Sequence, residues 1–236
     1  MSDTLSLQKC QAYIDCHLKP AHGPGDTHWG RAPSVTVSRE CGAGGLTMAN
    51  ALAEWLQKHA PKSPCPWTVF HKNLVQRVLE EHNLPKRLAQ YMPEDKVSGI
   101  ADALEELLGL HPPSWNLVRQ TTETILQLAE LGRSIIVGRA GNVITQGLDN
   151  VLHVRLVGSM PWRSKRIMAL HQIDSSAAVA FVKKSDAARK RYVRRYYRQD
   201  IEDPLLYDLV INSDRMPESL AAELVGQALL RRFGAA

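Results

Sequence analysis

Apolar residues recur along the chain in two alternating rhythms. Short runs rich in β-branched side chains read as strands: SVTVS (34–38), WTVF (67–70), SIIVGR (134–139), VLHVRLV (151–157) and YDLVIN (207–212). Between them the apolar spacing turns helical. One helix spans about 46–59, and Leu74, Val75, Val78 and Leu79 form the stripe of a second. A longer helix follows Ser114 as its N-cap and stops at Gly132; helix, loop and helix follow over 159–198. A last helix starts near Pro217 and ends with Arg231 and Arg232 before Gly234. Strands alternating with helices predict an α/β fold with parallel strands. Upstream, Leu7, Cys10, Ile14 and Leu18 suit a short amphipathic helix over 4–18. Residues 19–33 hold three prolines and three glycines, a linker after which the folded domain is expected to begin.

The 236 residues suit one compact domain, with room for a mobile lobe. A 44% hydrophobic and 22% charged composition excludes wholesale disorder and fibrous repeats. No run approaches eighteen apolar residues, and MSDTLSLQKC lacks a basic segment followed by a hydrophobic one. Neither a membrane span nor a secretory leader is expected, and the expected location is cytoplasmic. Cys10, Cys16, Cys41 and Cys65 form no CxxC pair and are expected as reduced thiols. Cys10, Cys16, His17, His22 and His28 match no common zinc spacing, so no protein-held metal is expected.

Charge is unevenly spread. From Ser159 to Arg198 eleven Lys or Arg face only Asp174 and Asp186, a segment of +9 in a chain of +5. Such self-repulsion is costly unless water or a polyanion screens it. The segment is a solvated helix face, a phosphate-handling element or a nucleic-acid surface. The last ranks lowest, because no aromatic-interleaved single-strand module accompanies it.

A glycine turn sits where phosphate chemistry needs one. In SVTVSRECGAGGLTMANALAEWL a strand runs through Gly42, Ala43, Gly44 and Gly45 into an amphipathic helix opening at Leu46 and Thr47. Glycines let main-chain N–H groups turn inward, and the helix start adds partial positive charge. Measured against the pattern GxxxxGK[ST], Arg39 stands at the first glycine, Gly45 at the lysine and Leu46 at the hydroxyl position. A unit charge about 4 Å from a phosphate oxygen is worth ~4 kcal/mol at an effective dielectric of 20. Either another cation replaces the lysine, with Arg39 and the basic segment as the candidates, or the nucleotide binds weakly. Thr47 lies one residue late for the metal-side hydroxyl.

SRECGAGG, IIVGRAGNVI, RSKR, SDAARKRY and DPLLYDLVINS occur in the order seen in the cytidylate kinase-like family, a branch of the P-loop nucleoside monophosphate kinases. The chain resembles that family over roughly 33–233, and the family's loop also lacks the lysine. The resemblance implies a parallel five-stranded P-loop NTPase core with helices on both faces, within 34–236. It also implies a helical monophosphate-binding lobe (71–113) and an Arg-rich lid (about 163–198). The implied reaction is phosphoryl transfer from ATP, with Mg2+, to a nucleoside monophosphate, CMP or dCMP first. Small-molecule nucleotides are then the partners; the oligomeric state is left open. Gly42, Ala43, Gly44, Gly45, Leu46 and Thr47 would cradle the donor phosphates. Arg39, Arg163, Arg166, Arg189 and Arg191 would neutralise the migrating group. Gly138, Arg139, Asp186 and Arg189 would hold the acceptor. The family's Gly-Arg-Asp turn has Ala140 in place of the aspartate, a departure that bears on cytosine selectivity.

Plainer roles stand beside these. Asp186 could pair with Lys190 one helical turn on. Arg191, Arg195 and Arg198 share a face that could simply be solvated, and Tyr192 with Tyr196 reads as packing. Asp208 could orient a loop or cap a turn, His71 reads as a helix cap, and Cys41 as an inert thiol. A relative that binds nucleotide without transferring phosphate, a sensor or regulator, is the alternative to the kinase.

Overall fold

The computed structural model describes residues 2–17, 32–71, 100 and 116–234. Leu18, most of the linker, the stripe from Leu74 to Leu79, Ser114 and nearly all of the expected acceptor lobe lie outside these residues.

Five parallel strands form the sheet: β1 (Ser34–Arg39), β2 (Thr68–His71), β3 (Ser134–Val137), β4 (Val151–Val157) and β5 (Leu209–Asn212), in the order β2-β3-β1-β4-β5. The helices are α1 (Ser2–His17), α2 (Gly45–His59), α3 (Asn116–Leu131), the single turn α4 (Gly141–Ile144), α5 (Met160–His171), α6 (Ser175–Tyr197) and α7 (Glu218–Phe233). A 3-10 turn spans Pro204–Leu206. Every strand read from the sequence is present, and β4 has the expected limits. β1 is the central strand, with Val35 opposite Ile135 of β3 and Leu152 of β4.

Strand alternation divides the side chains between two layers. On one face Val35, Val37, Leu152, Val154 and Leu156 pack against Met48, Leu52 and Leu56 of α2 and Val225 and Leu229 of α7. On the other, Phe70, Ile136 and Val151 pack against Ile125 and Leu128 of α3 and Val193 and Tyr197 of α6. That second face is polar along β1 and β4. Thr36 Oγ1 meets His153 Nδ1 at 2.8 Å, and Arg155 reaches Ser38. Burial lowers the pKa of His153, a shift opposed by Asp208 and reinforced by Arg232.

Two expectations are corrected. The N-terminal helix does not precede the folded domain but belongs to it: Cys10, Tyr13 and Ile14 are buried in the second layer. Tyr13 donates its hydroxyl to Gly132 O at 2.6 Å and meets Phe70 edge-on. A glycine-rich linker signals a break in local structure, and says nothing of where the preceding helix docks. Nor are all four cysteines free thiols. Cys16 at the end of α1 is bonded to Cys65 before β2, with Cα atoms 5.5 Å apart. The 49-residue separation hides this pairing from any spacing rule. Cys10 and Cys41 are buried free thiols, and burial pushes the Cys10 pKa up to about 12.

Candidate active site

The chain leaves the C-terminal end of β1 and turns sharply into α2. Gly42 (φ 83°) and Gly44 (φ 79°) both take the left-handed conformation that L side chains resist. Space excludes a side chain as well: a Cβ on Gly42 would lie 2.6 Å from Arg163 O, and one on Gly44 2.8 Å from Glu218 Oε1. α2 then begins at Gly45, with its N-terminal amides at the bend. Ala43 is buried, and its carbonyl accepts from Ser213 Oγ at 3.0 Å. Leu46 is exposed.

α5 and α6 lie over this loop. Ile167, Ala178 and Val182 close on the Cys41 side chain, and polar bonds then fasten the contact. Arg163 is buried; its Nε donates to Gly158 O at 2.8 Å and pairs with Glu40 at 3.3 Å. Its Nη1 donates to Cys41 O at 3.1 Å and to Asp186 Oδ2 at 2.5 Å. The other oxygen of Asp186 accepts from Cys41 N at 2.7 Å and from Arg189 Nη1 at 3.0 Å. Asp186 therefore pairs with Arg163 and Arg189, and not with Lys190, which turns to Glu202 and Asp200. Both outcomes follow from the tertiary packing of α6 on the loop, which prevails over helical spacing.

Arg166 approaches from the next turn of α5. Its Nη2 donates to Thr47 Oγ1 at 3.0 Å, its Nη1 pairs with Glu218, and its guanidinium lies over Trp162. A Cβ on Gly44 would be 3.1 Å from Arg166 Nη1, so this cation is held against the loop. Burial, the largest single influence, opposes ionisation of Glu218, yet the hydrogen bond and charge of Arg166 together with a backbone hydrogen bond outweigh it and hold the carboxyl below its usual pKa.

Arg39 occupies the centre. Its aliphatic stem lies against Gly45, where a Cβ would meet Arg39 Cγ at 2.8 Å. Its guanidinium fills the space a side chain on Gly138 would need. Burial and the neighbouring charges of Arg189 and Arg139, only partly offset by Cys41 and Asp186, bring the Arg39 pKa down to about 10. No acid among the described residues is ion-paired with it.

Gly138, Arg139 and Ala140 follow β3 with three consecutive positive φ values of 80°, 56° and 57°. A left-handed non-glycine residue costs roughly 1–2 kcal/mol, and two in succession mark a turn whose shape is maintained against that cost. Nε of Arg139 is buried with no hydrogen-bond partner among the described residues, as is Nδ2 of Asn142 one turn on. Tyr192 hydrogen-bonds Arg139, and burial, the largest influence, raises the Tyr192 pKa. Tyr192 and Tyr196 are in ring contact, as expected.

The arrangement brings Arg39, Arg139, Arg163, Arg166, Asp186 and Arg189 around one glycine bend. Arg191 stands apart, exposed on the outer side of α6, because two residues of helix turn it away from Arg189. Sequence reasoning missed Glu40, Glu218 and Arg155. A charged residue inside the buried run VLHVRLV was the available signal for Arg155; Glu40 and Glu218 carried none beyond their charge.

The model of the cytidylate kinase-like family matches residues 34–215. The chain belongs to that family. It is 20% identical to a cytidylate kinase from Methanocaldococcus jannaschii over 158 residues, 66% of this chain and 89% of that kinase. It is also 25% identical to a uronate isomerase from Corynebacterium glutamicum over 117 residues, half of this chain but 22% of the isomerase. Among solved structures, an uncharacterized protein from Eubacterium ventriosum superposes with a TM-score of 0.53. The two are 21% identical, over 84% of this chain and 98% of that one. The likeness shows a shared fold. In this chain the glycine bend from Gly42 to Gly45 has Arg39 against Gly45 and Arg166 of α5 against Gly44. Among the described residues no helix is long and apolar enough to cross a membrane.

Proposed function

We propose that the protein transfers the terminal phosphoryl group of MgATP to a nucleoside monophosphate, with CMP or dCMP as the first acceptor. One observation carries this reading. The Arg39 guanidinium is held between the loop and the β3–α4 turn, near Arg139 and Arg189, without an ion-paired acid among the described residues. Arg39 is half-buried, and a charge drawn out of water is costly unless an opposite charge accompanies it. A migrating phosphoryl group is an anion of the right size and chemistry to meet three guanidiniums.

Such transfer asks little covalent work of the protein; it needs alignment, neutralisation and exclusion of water. The loop amides and the start of α2 would hold the donor phosphates, with Arg166, held beside Gly44, supplying the charge of the lysine that Gly45 replaces. Arg39, Arg139 and Arg189 would grip the acceptor phosphate and the group in flight, in a site kept dry by α5 and α6. The acceptor phosphate is already anionic, so no side chain need act as base. Among the described residues no three candidate ligands gather into a metal cage, and Glu40, Asp186 and Glu218 are all paired with arginines. Magnesium is therefore read as part of the MgATP substrate, carried on phosphate and water oxygens.

The test is the full chain with MgATP and each common ribo- and deoxyribonucleoside monophosphate, products separated by chromatography. At least one acceptor should yield its diphosphate. No diphosphate in any mixture overturns the kinase reading. If ATP still binds in that case, the reading becomes a nucleotide sensor, favoured by Gly45 at the lysine position and by Asp186 on the Cys41 amide.

A further inference from the structure

A cavity of about 310 Å³ opens between the end of β1, β4 and the inner side of α6. Six basic and three acidic side chains line it. The acids are all engaged within the lining. Glu40 pairs with Arg163, Asp186 with Arg163 and Arg189, and Glu202 with Lys190. That leaves Arg39, Arg155 and Lys183 without an ion-paired acid among the described residues.

Arg155 is the decisive one. It projects from the middle of the sheet and is only 6% exposed. Its contacts are neutral: Nη1 donates to Ser38 Oγ at 3.3 Å and Tyr207 Oη at 3.4 Å, and the guanidinium lies 5.5 Å from the centre of the Tyr207 ring. Tyr207 is anchored in turn, its hydroxyl donating to Ile201 O at 2.9 Å. A fixed, buried guanidinium with spare donors at the floor of a basic cavity is built to receive an oxyanion.

We propose that Arg155, with Arg39 and Lys183 at the walls, forms a binding site for a phosphate group, contiguous with the glycine bend but distinct from its amides. The site shares Arg39 with the proposed grip on the acceptor, but Arg155 and Lys183 have no part in that grip, so the site can be tested apart from the kinase reading. The occupant is either a nucleotide's own phosphate or a free phosphate ion; the chemistry of recognition is the same.

Inorganic phosphate, titrated into the nucleotide-free full chain by calorimetry at fixed ionic strength, tests it. One equivalent should bind, and Arg155→Met and Lys183→Gln should each weaken binding at least fivefold. Lys183 is exposed, so Lys183→Gln keeps the test decisive even if Arg155→Met fails to fold. Competition by CMP would identify a nucleotide phosphate as the natural occupant, whereas simultaneous binding would identify free phosphate; either result supports the site. Absence of phosphate binding to the unaltered protein, or affinity unchanged in Lys183→Gln, overturns it. Diphosphate formation is measured separately, so its absence does not touch this outcome.

Discussion

The carboxylate of Asp186, on α6, accepts the main-chain N–H of Cys41, inside the glycine bend, at 2.7 Å. One acid thus ties the basic helical pair to the loop while neutralising Arg163 and Arg189. Asp186→Asn keeps the shape and removes the charge. Because Arg163 is buried, the loss should cost about 1–3 kcal/mol, less than for a fully buried pair since Asp186 is itself partly exposed. Denaturant unfolding measures it; stability unchanged within error would mean that the packing of Ile167 and Val182 on Cys41 suffices.

Arg39 should show the opposite balance. With no ion-paired acid among the described residues and two arginines nearby, its charge works against folding. Arg39→Met is expected to leave stability unchanged or raised, while lowering kcat/KM by about 10²–10³. The pH dependence follows. A base whose folded pKa lies below its unfolded value destabilises while charged, and the penalty is relieved as pH rises through about 10. The stability gap between Arg39→Met and the unaltered chain should therefore be constant below pH 9 and narrow as pH rises beyond about 10 toward the ordinary arginine range.

The disulfide from Cys16 to Cys65 fastens α1 beside β2. Chain entropy for a loop of this size gives about 4 kcal/mol. Reduction, or Cys65→Ser, should lower the melting temperature clearly and release α1 to proteolysis. Equal melting curves with and without reductant would show that Tyr13, Ile14 and Cys10 hold the helix unaided.

Sheet, helices and the glycine bend were legible because each has a local cause: alternation along β4, the helical stripe of α2, the strand–glycine–helix succession at Gly42 to Gly45. The docking of α1 was not, since Tyr13 finds Gly132 across 119 residues. The partners of Asp186 were equally hidden. Helical spacing offered Lys190, whereas the fold supplied Arg163 from 23 residues away and an amide from 145. Arg191 fell outside the cluster because membership of a basic run does not set the face from which a side chain emerges.

Arg39 and Gly45 make one further point, about the lysine that this loop lacks. Any side chain at Gly45 would carry a Cβ 2.8 Å from Arg39 Cγ, too close for both to stay in place. The Arg39 guanidinium in turn lies against Gly138, so both ends of the side chain are packed on glycines. In the observed arrangement, arginine at the first position of the bend leaves no room for a side chain at the seventh. Gly45→Lys, although it installs the usual phosphate ligand, should weaken ATP binding at least tenfold, about 1.4 kcal/mol. Adding Arg39→Gly removes the clash and should recover most of that affinity, while leaving turnover low for want of the Arg39 charge. Calorimetric ATP titration of the single and double variants decides it. Stronger ATP binding by Gly45→Lys alone would show that the two side chains can coexist, and that the lysine is missing for some other reason.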